Sequence, residues 1–304
     1  MKAATTTVPP AQTPAGVRPD GIELVRVSVP QRTAGSELRA IRIVWRRELI
    51  RFRSDPIRIV TWLVQPFLFL FVLGEGLSHI ASAGTHGVPL KSFIYPGVLC
   101  MAVMFTAMFS AASFVWDREF GFLREMMVAP VSRSSIILGK CLGGATVAAL
   151  QGLIVLAIAG AAHVPYHPLM LLGAFGIQLL LAFTITAMGM AIAVRIKQMQ
   201  SFMGLTQLIM LPMFFLSGAL FPASGLPAWL NVLTRLDPMS YAVDPMRKLV
   251  FANLKHVNPI AKSILVPGLN WWSYHIPSGI EVGVVAAIGV VMMSIAVIGF
   301  NRAE

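Results

Sequence analysis

Charged residues are scarce in this sequence of 304 residues: they make up 12% of the chain, whereas apolar residues make up 56%. Ordinary soluble domains contain roughly 45–50% apolar and about 25% charged residues. An ordinary soluble domain is therefore excluded, and the composition indicates an integral membrane protein.

Cysteine and the common catalytic motifs are also nearly absent. The two cysteines, Cys100 and Cys141, fall in different apolar runs and are predicted to be reduced packing residues. Gly139-Lys140 is followed by Cys141 and lacks the upstream glycine of a phosphate-binding loop, so no nucleotide site is predicted. The hydrolase motifs H-E-x-x-H and G-x-S-x-G are absent as well. We therefore predict that the chain is not an enzyme and that it has no catalytic residue, metal or cofactor of its own.

What the sequence does contain is six apolar runs, each about as long as the roughly 20 residues that a helix needs to cross a bilayer. They are continuously apolar, whereas the strands of a membrane barrel alternate and are about half as long. The predicted spans are 57–78, 94–115, 136–160, 169–194, 202–221 and 280–300.

Lysine and arginine are distributed unevenly between the two sides that these spans define. Eighteen of the 24 lie before or at the start of span one, between spans two and three, between spans four and five, or after span six. Basic residues are enriched on the cytoplasmic side of membranes, so both termini and the segment 117–140 are predicted to be cytoplasmic. No nucleic-acid partner is predicted from the net charge of +11. We expect a multi-pass protein of the plasma membrane, of bacterial origin.

Short helices are predicted outside the spans. Residues 37–53 have an apolar stripe at helical spacing opposite several arginines, which favours an amphipathic helix in the cytoplasmic interface; the alternative is a solvated helix packed on a partner. Between spans five and six, Pro227, Pro238 and Pro245 mark possible helix starts, which predicts short re-entrant or interface-hugging helices on the outer side.

Together these features predict an all-α integral membrane fold with six transmembrane helices, an N-terminal interfacial helix and outer re-entrant helices. Residues 1–35 are predicted to be a disordered cytoplasmic tail, and 36–304 the transmembrane domain. Glu75, near the outer end of span one, could face a cavity or partner, or lie at the headgroup boundary.

A charged segment between spans two and three is the most unusual part of the sequence. A short helix from about Asp117 to Met127 would place its apolar residues on one side and leave charges for ion pairs at the rim of an interface. Exposed phenylalanine and methionine in a charged loop favour docking onto a partner protein; the alternative is an ordinary solvated loop. The residues predicted to couple this chain to that partner are Asp117, Arg118, Glu119, Phe120, Gly121, Leu123, Arg124 and Pro130.

A second pattern runs from Met210 to Arg247, where small and apolar residues are followed by two proline-containing stretches and a final arginine. Its most informative members are Ser217, Gly218, Pro227, Pro238, Tyr241 and Arg247. With the charged segment and the order of spans, this pattern resembles the ABC-2 family of ATP-binding-cassette exporter permeases, in particular the daunorubicin/doxorubicin resistance branch. The resemblance covers about residues 37–300.

The resemblance implies further properties. The charged segment would form a coupling helix that docks into a separate cytosolic ATPase, and that partner would hold ATP and Mg. A second permease, identical or homologous, would complete the translocation path, chiefly from spans two and five. The resemblance therefore implies that the substrate path is lined by Phe105, Phe109, Gln207, Met210 and Phe214.

The predicted function is export of a hydrophobic or amphipathic compound, such as a drug, a lipid or a polyketide-like molecule. A wall rich in phenylalanine and methionine suits such cargo because these side chains repack around varied shapes. One alternative is export of a polysaccharide or glycolipid. Another is a membrane enzyme or sensor, for which the sequence shows neither a catalytic set nor a soluble sensor domain.

Overall fold

The computed structural model describes residues 33–78, 88–128, 131–221, 227–254, 258–271 and 274–303. The predicted tail lies almost entirely outside this part of the chain, as does Pro130. The described residues are predominantly helical, and six of their helices are long and apolar enough to cross a bilayer. The predicted all-α architecture with six spans is therefore confirmed.

The helices are defined here in chain order. They are α1 (Ala34–Arg53), α2 (Pro56–Gly76), α3 (Leu90–Glu119), α4 (Phe122–Val128), α5 (Arg133–Ala157), α6 (Pro168–Ala193), α7 (Met199–Leu216), α8 (Ala228–Leu236), α9 (Ser240–Asn253), α10 (Pro259–Leu265) and α11 (Ser278–Ala303). Spans one to six are α2, α3, α5, α6, α7 and α11. Within α2, Phe69–Leu73 form a π-helical stretch, and Ala159–Ala162 form a 3₁₀ turn after α5.

Span two is the centre of the bundle. Of its most apolar stretch 78% is buried, against 17% for span one, 28% for span five and 22% for span six. It packs against spans one, three, four and five and against α9. Spans one, five and six therefore have most of their apolar surface on the outside of this chain.

Helix α1 begins with a capping box, in which Thr33 and Ser36 exchange hydrogen bonds. It packs against span three of the same chain through glycines, since a Cβ atom added to Gly139 would lie 2.8 Å from the Cβ of Val44. Trp45 Nε1 also donates to Thr146 Oγ1 at 3.0 Å. One face of α1 is thus fixed to the bundle, while Ile43 and Ile50 on its other side are exposed.

The segment between spans five and six forms α8, α9, α10 and a short hairpin. Two two-residue strands, Asn270–Trp271 and Tyr274–His275, pair antiparallel with Asn270 opposite His275. Pro227 caps α8, and Pro238 precedes α9. The prediction that Pro245 also begins a helix is wrong, because Pro245 lies inside α9. Helix α9 packs between spans two, four and six, so this segment covers one end of the bundle.

Candidate functional site

The charged segment between spans two and three is divided differently from the prediction. Span two continues through Asp117 to Glu119, and the short helix α4 begins only at Phe122. Gly121, at φ 84°, separates the two helices, because this left-handed backbone conformation interrupts regular helix. The predicted helix from Asp117 to Met127 is therefore corrected to Phe122–Val128.

The side chains of α4 face two ways. Leu123 is buried and belongs to a core cluster that includes Phe114 and Ile137, so it cannot lie on a docking surface with Phe120 as expected. Phe120 (61% exposed), Phe122 and Val128 are instead the large apolar side chains turned outward. These three exposed side chains, one just before α4 and one at each end of it, are called the α4 face here, and they lie at the end of the bundle that holds α1.

Arg118 and Glu119 contact the chain itself, not only the rim of a possible interface. Arg118 Nη1 donates to the carbonyl oxygen of Val194 at 2.7 Å. The Glu119 carboxylate accepts the backbone N–H of Met199 at 3.0 Å, at the first residue of span five. A carboxylate there satisfies an unpaired amide and interacts favourably with the helix dipole. The end of span two is thereby joined to the connection between spans four and five.

Asp117 lies in a buried charge cluster that the sequence did not reveal. Lys140 Nζ is 2.6 Å from Asp117 Oδ2 and 3.0 Å from Glu48 Oε1. Arg47 also bonds directly to Asp117, and Arg51 lies 3.7 Å from it. Buried charges of this kind persist only when they are paired and hydrogen-bonded. The cluster connects α1, span two and span three, and the one signal for it was a lysine inside an apolar run.

A second connection joins the beginning of α1 to span three. The Glu37 carboxylate accepts hydrogen bonds from the backbone N–H of Ser132, at 3.0 Å, and from the Ser135 hydroxyl, at 2.5 Å. It therefore caps the N-terminus of span three. Helix α1 is anchored near both of its ends to the helices that flank α4.

The predicted signature residues gather at the opposite end of the bundle. Arg247 is buried and donates to the carbonyl oxygen of Gly218, while its guanidinium lies 4.5 Å above the Phe93 ring. Ser217 Oγ accepts the N–H of Ala219 at 3.3 Å, and Gly218 has φ 72°. Arg247 thus satisfies the carbonyl of Gly218, just beyond the C-terminus of span five. Burial lowers the pKa of Arg247 to about 10, so it stays charged at neutral pH.

Tyr241, Pro238 and Pro227 lie around the same segment. The Tyr241 hydroxyl donates to the carbonyl oxygen of Arg235 at 2.8 Å and accepts Trp271 Nε1–H at 2.9 Å. Pro238 follows Asp237, whose carboxylate accepts the N–H of Met239 at 3.0 Å. Pro227 is the exposed residue that begins α8. These residues organise the backbone of the outer segment.

A second ion cluster, also missed from the sequence, joins that segment to span six. Lys248 Nζ lies 2.8 Å from Asp244 Oδ2 and 2.9 Å from Glu281 Oε1. Asp244 also accepts the N–H of Leu269 at 3.0 Å. Burial opposes ionisation of Asp244, but its hydrogen bonds and the Lys248 charge outweigh burial and lower the pKa of Asp244. At the end of span one that is distant from α1, Glu75 is exposed and pairs with Lys91.

The five predicted path residues do not form one surface in this chain. Met210 and Phe214 are buried in the main core, and Gln207 is exposed. Phe105 and Phe109 are half-buried neighbours with ring centroids 6.4 Å apart. Of these five, Phe109 lines a cavity of about 460 Å³ at the α1 end, together with Arg51, Asp55, Arg58, Trp62 and Trp116.

Comparison with known proteins agrees with this architecture. Residues 39–251 match the model of the family described as ABC-2 type transporter. The protein named transport permease ycf38 of Cyanophora paradoxa is 26% identical over 213 residues, which cover 68% of this chain and 72% of that protein. Nodulation protein J of Rhizobium leguminosarum bv. trifolii is 27% identical over 232 residues, covering 74% of this chain and 88% of that protein. Since the family model spans most of the sequence, the chain belongs to the ABC-2 type transporter family.

Proposed function

We propose that this chain is the membrane subunit of an ATP-driven exporter that moves a hydrophobic or amphipathic compound out of the cytoplasm. Family membership and relatives named transport permeases support a transport role. A separate cytosolic ATPase, which binds ATP and Mg, would supply the energy. The observation that carries the proposal is the α4 face, because its apolar side chains are exposed on and next to a short helix held between two spans.

The surroundings of α4 explain how a push on it could reach the bundle. Two residues separate the end of span two from α4, and span two is fixed to span three by the Asp117–Lys140 pair. Glu119 and Arg118 connect the same end of span two to spans four and five. A partner that binds α4 differently in its two nucleotide states would therefore bias the arrangement of several spans at once.

The distribution of charge supports a cytoplasmic position for the α1 end. Basic residues of α1, the segment around α4 and the connection after span four lie on this side. By the positive-inside rule it faces the cytoplasm, where a soluble ATPase could reach α4.

A second permease copy or homologue would cover the spans that this chain leaves exposed. Spans one and five have most of their apolar surface outside the protein interior. Phe105, Phe109 and Gln207 on spans two and five would then contribute to a path between the copies, whereas Met210 and Phe214 would have to move to reach it.

Export of a polysaccharide or glycolipid is the second candidate function. The cavity lined by Phe109 supports this function because it carries both aromatic and polar side chains. An amphipathic glycolipid has an apolar part and a polar part that would contact them. Drug export would instead require a cargo that is apolar over most of its surface.

The test of the coupling role uses the double variant Phe120→Asp/Phe122→Asp. We expect it to lose the co-purifying ATPase and transport-linked ATP turnover while still inserting into the membrane, because two exposed apolar side chains that the ATPase would bury become charged. The matched control, Trp229→Asp/Leu236→Asp, changes two exposed side chains of α8 at the other end. Unchanged co-purification in the first variant, or equal loss in both, contradicts docking through α4.

A further inference from the structure

The cavity at the α1 end has a cationic wall and an aromatic wall. Arg51 and Arg58 come from the end of α1 and the beginning of span one, and Asp55 lies between them. Trp62 and Phe109 form the aromatic wall, with ring centroids 6.1 Å apart. At about 460 Å³, it falls within the roughly 300–1,000 Å³ of small-molecule sites.

The charges around this cavity do not cancel. In the neighbouring cluster, Arg47 and Lys140 balance Asp117 and Glu48. Arg51, which is 3.7 Å from Asp117, is therefore a surplus cation.

Arg58 is a second cation, and one of its hydrogen-bond donors has no partner among the described residues. Among the described residues, its Nε atom is buried without a hydrogen-bond partner, and no carboxylate forms an ion pair with its guanidinium. Asp55 accepts the backbone N–H of Arg58 at 3.1 Å. The Asp55 carboxylate thereby caps the N-terminus of span one and offsets the helix dipole, and it also attracts the Arg58 guanidinium without forming an ion pair with it.

The aromatic wall distinguishes between ligands of opposite charge. Arg58 lies 4.4 Å above the Trp62 ring and occupies the face that an incoming cation would use. A cationic ligand would also meet a net positive charge, because Arg51 and Arg58 outnumber Asp55 in the cavity wall. An anion would gain hydrogen bonds from planar guanidinium groups, which suit carboxylate, sulfate and phosphate.

We propose that this cavity is the first binding site of the exported molecule, and that this molecule is an amphiphile with an anionic head. The head binds Arg51 and Arg58, and the apolar part of the molecule lies against Trp62 and Phe109. The proposal rests on the proposed function of the chain as an exporter permease. It narrows the cargo to anionic amphiphiles and excludes positively charged drugs at this site.

The test measures binding to the purified permease in phosphatidylcholine nanodiscs. Bromododecyl phosphate is titrated in, and quenching of tryptophan fluorescence by its bromine reports occupancy near Trp62 and Trp116. Bromododecyl trimethylammonium is the probe of opposite charge. We expect the phosphate probe to give saturable quenching and the ammonium probe to give no saturable quenching. The amplitude of quenching by the phosphate probe should be smaller in Trp62→Phe.

The variant Arg51→Gln/Arg58→Gln should weaken binding of the phosphate probe by at least about tenfold, because each arginine contributes a charge-assisted hydrogen bond. The control Arg39→Gln/Arg53→Gln removes two charges from exposed positions on α1 and should change affinity by less than about twofold. Arg51→Lys/Arg58→Lys keeps the charge and should bind with intermediate affinity, which separates lost binding from lost folding.

Equal affinity for the two probes, or equal weakening in the control, overturns the proposal. Nanodiscs that also contain phosphatidylglycerol distinguish cargo from membrane lipid: if that lipid abolishes saturable binding, the site belongs to bulk anionic lipid and the proposal fails.

Binding of the probe needs no ATPase. Failure here while the ATPase still co-purifies therefore overturns only the cargo class, whereas loss of ATPase association with probe binding intact overturns the proposed coupling.

Discussion

Lys140 Nζ lies 2.6 Å from Asp117 Oδ2, and this buried pair joins the beginning of span three to the end of span two. Glu48 of α1 accepts from the same ammonium at 3.0 Å. Three elements next to the short helix α4 are thus connected through one lysine.

Substitution of Lys140 by methionine should destabilise the protein strongly. Asp117 and Glu48 would remain buried with one cation fewer, and breaking a buried ion pair costs about 3–5 kcal/mol. Thermal unfolding of the purified variant measures this effect. A double-mutant cycle with Asp117→Asn isolates the pair, and a coupling energy near zero would show that the two side chains act independently.

Gly97→Ala should destabilise the contact between span two and the end of span five. A Cβ atom at Gly97 would lie 2.4 Å from the carbonyl oxygen of Ala219, so backbone must move, at a cost of about 1–3 kcal/mol. Gly176→Ala is the matched control, because nothing lies within 4 Å of its added Cβ. Its unfolding temperature should stay the same or rise slightly. Similar losses in both variants would refute the close approach.

Arg247→Lys should lower stability although it keeps the positive charge. Lysine lacks the planar fork that bonds Gly218 and stacks on Phe93. Arg195→Lys, at an exposed position, is the control and should change the unfolding temperature little. If the two variants are equally stable, the contacts of the Arg247 guanidinium with Gly218 and Phe93 do not contribute to stability.

Asp237 should make stability depend on pH. Burial raises the pKa of Asp237 from 3.8 to about 7 in the folded protein. The folded state therefore holds a proton that the unfolded state has lost between these values, so this contribution is complete below pH 3.8 and is lost as pH rises through 7. Asp237→Asn removes it, while the amide oxygen can still accept the N–H of Met239.

Thermal unfolding of wild type and Asp237→Asn at acidic and alkaline pH checks this sign. The variant should gain stability relative to wild type as the pH rises. A difference between the two proteins that is the same at both pH values would contradict a raised pKa for Asp237.

Single cysteines should report the proposed orientation. The two natural cysteines are buried and should react slowly. Val128→Cys and Leu236→Cys replace exposed residues at opposite ends of the bundle. In intact cells, an impermeant maleimide should label Leu236→Cys, and Val128→Cys should require permeabilised membranes. The reverse pattern would place α4 outside the cell and end the coupling proposal.

The sequence by itself determined the number, order and approximate limits of the six spans, because long apolar runs are a local property that reads directly as membrane helix. It also located a short helix between spans two and three and the outer helices at Pro227 and Pro238. Its limits for the short helix were wrong, since nothing local shows that span two continues to Glu119 before Gly121 interrupts it.

Only the tertiary structure decided which side chains face one another. Asp117 was predicted among the residues that couple the chain to a partner but is buried against Lys140, and Met210 and Phe214 were predicted along a path but lie in the core. Apolar patterning gives almost no directional signal in helices that are apolar all round. The contacts of these residues follow from how separate helices pack, at close approaches such as Gly97 with Ala219 and Gly139 with Val44.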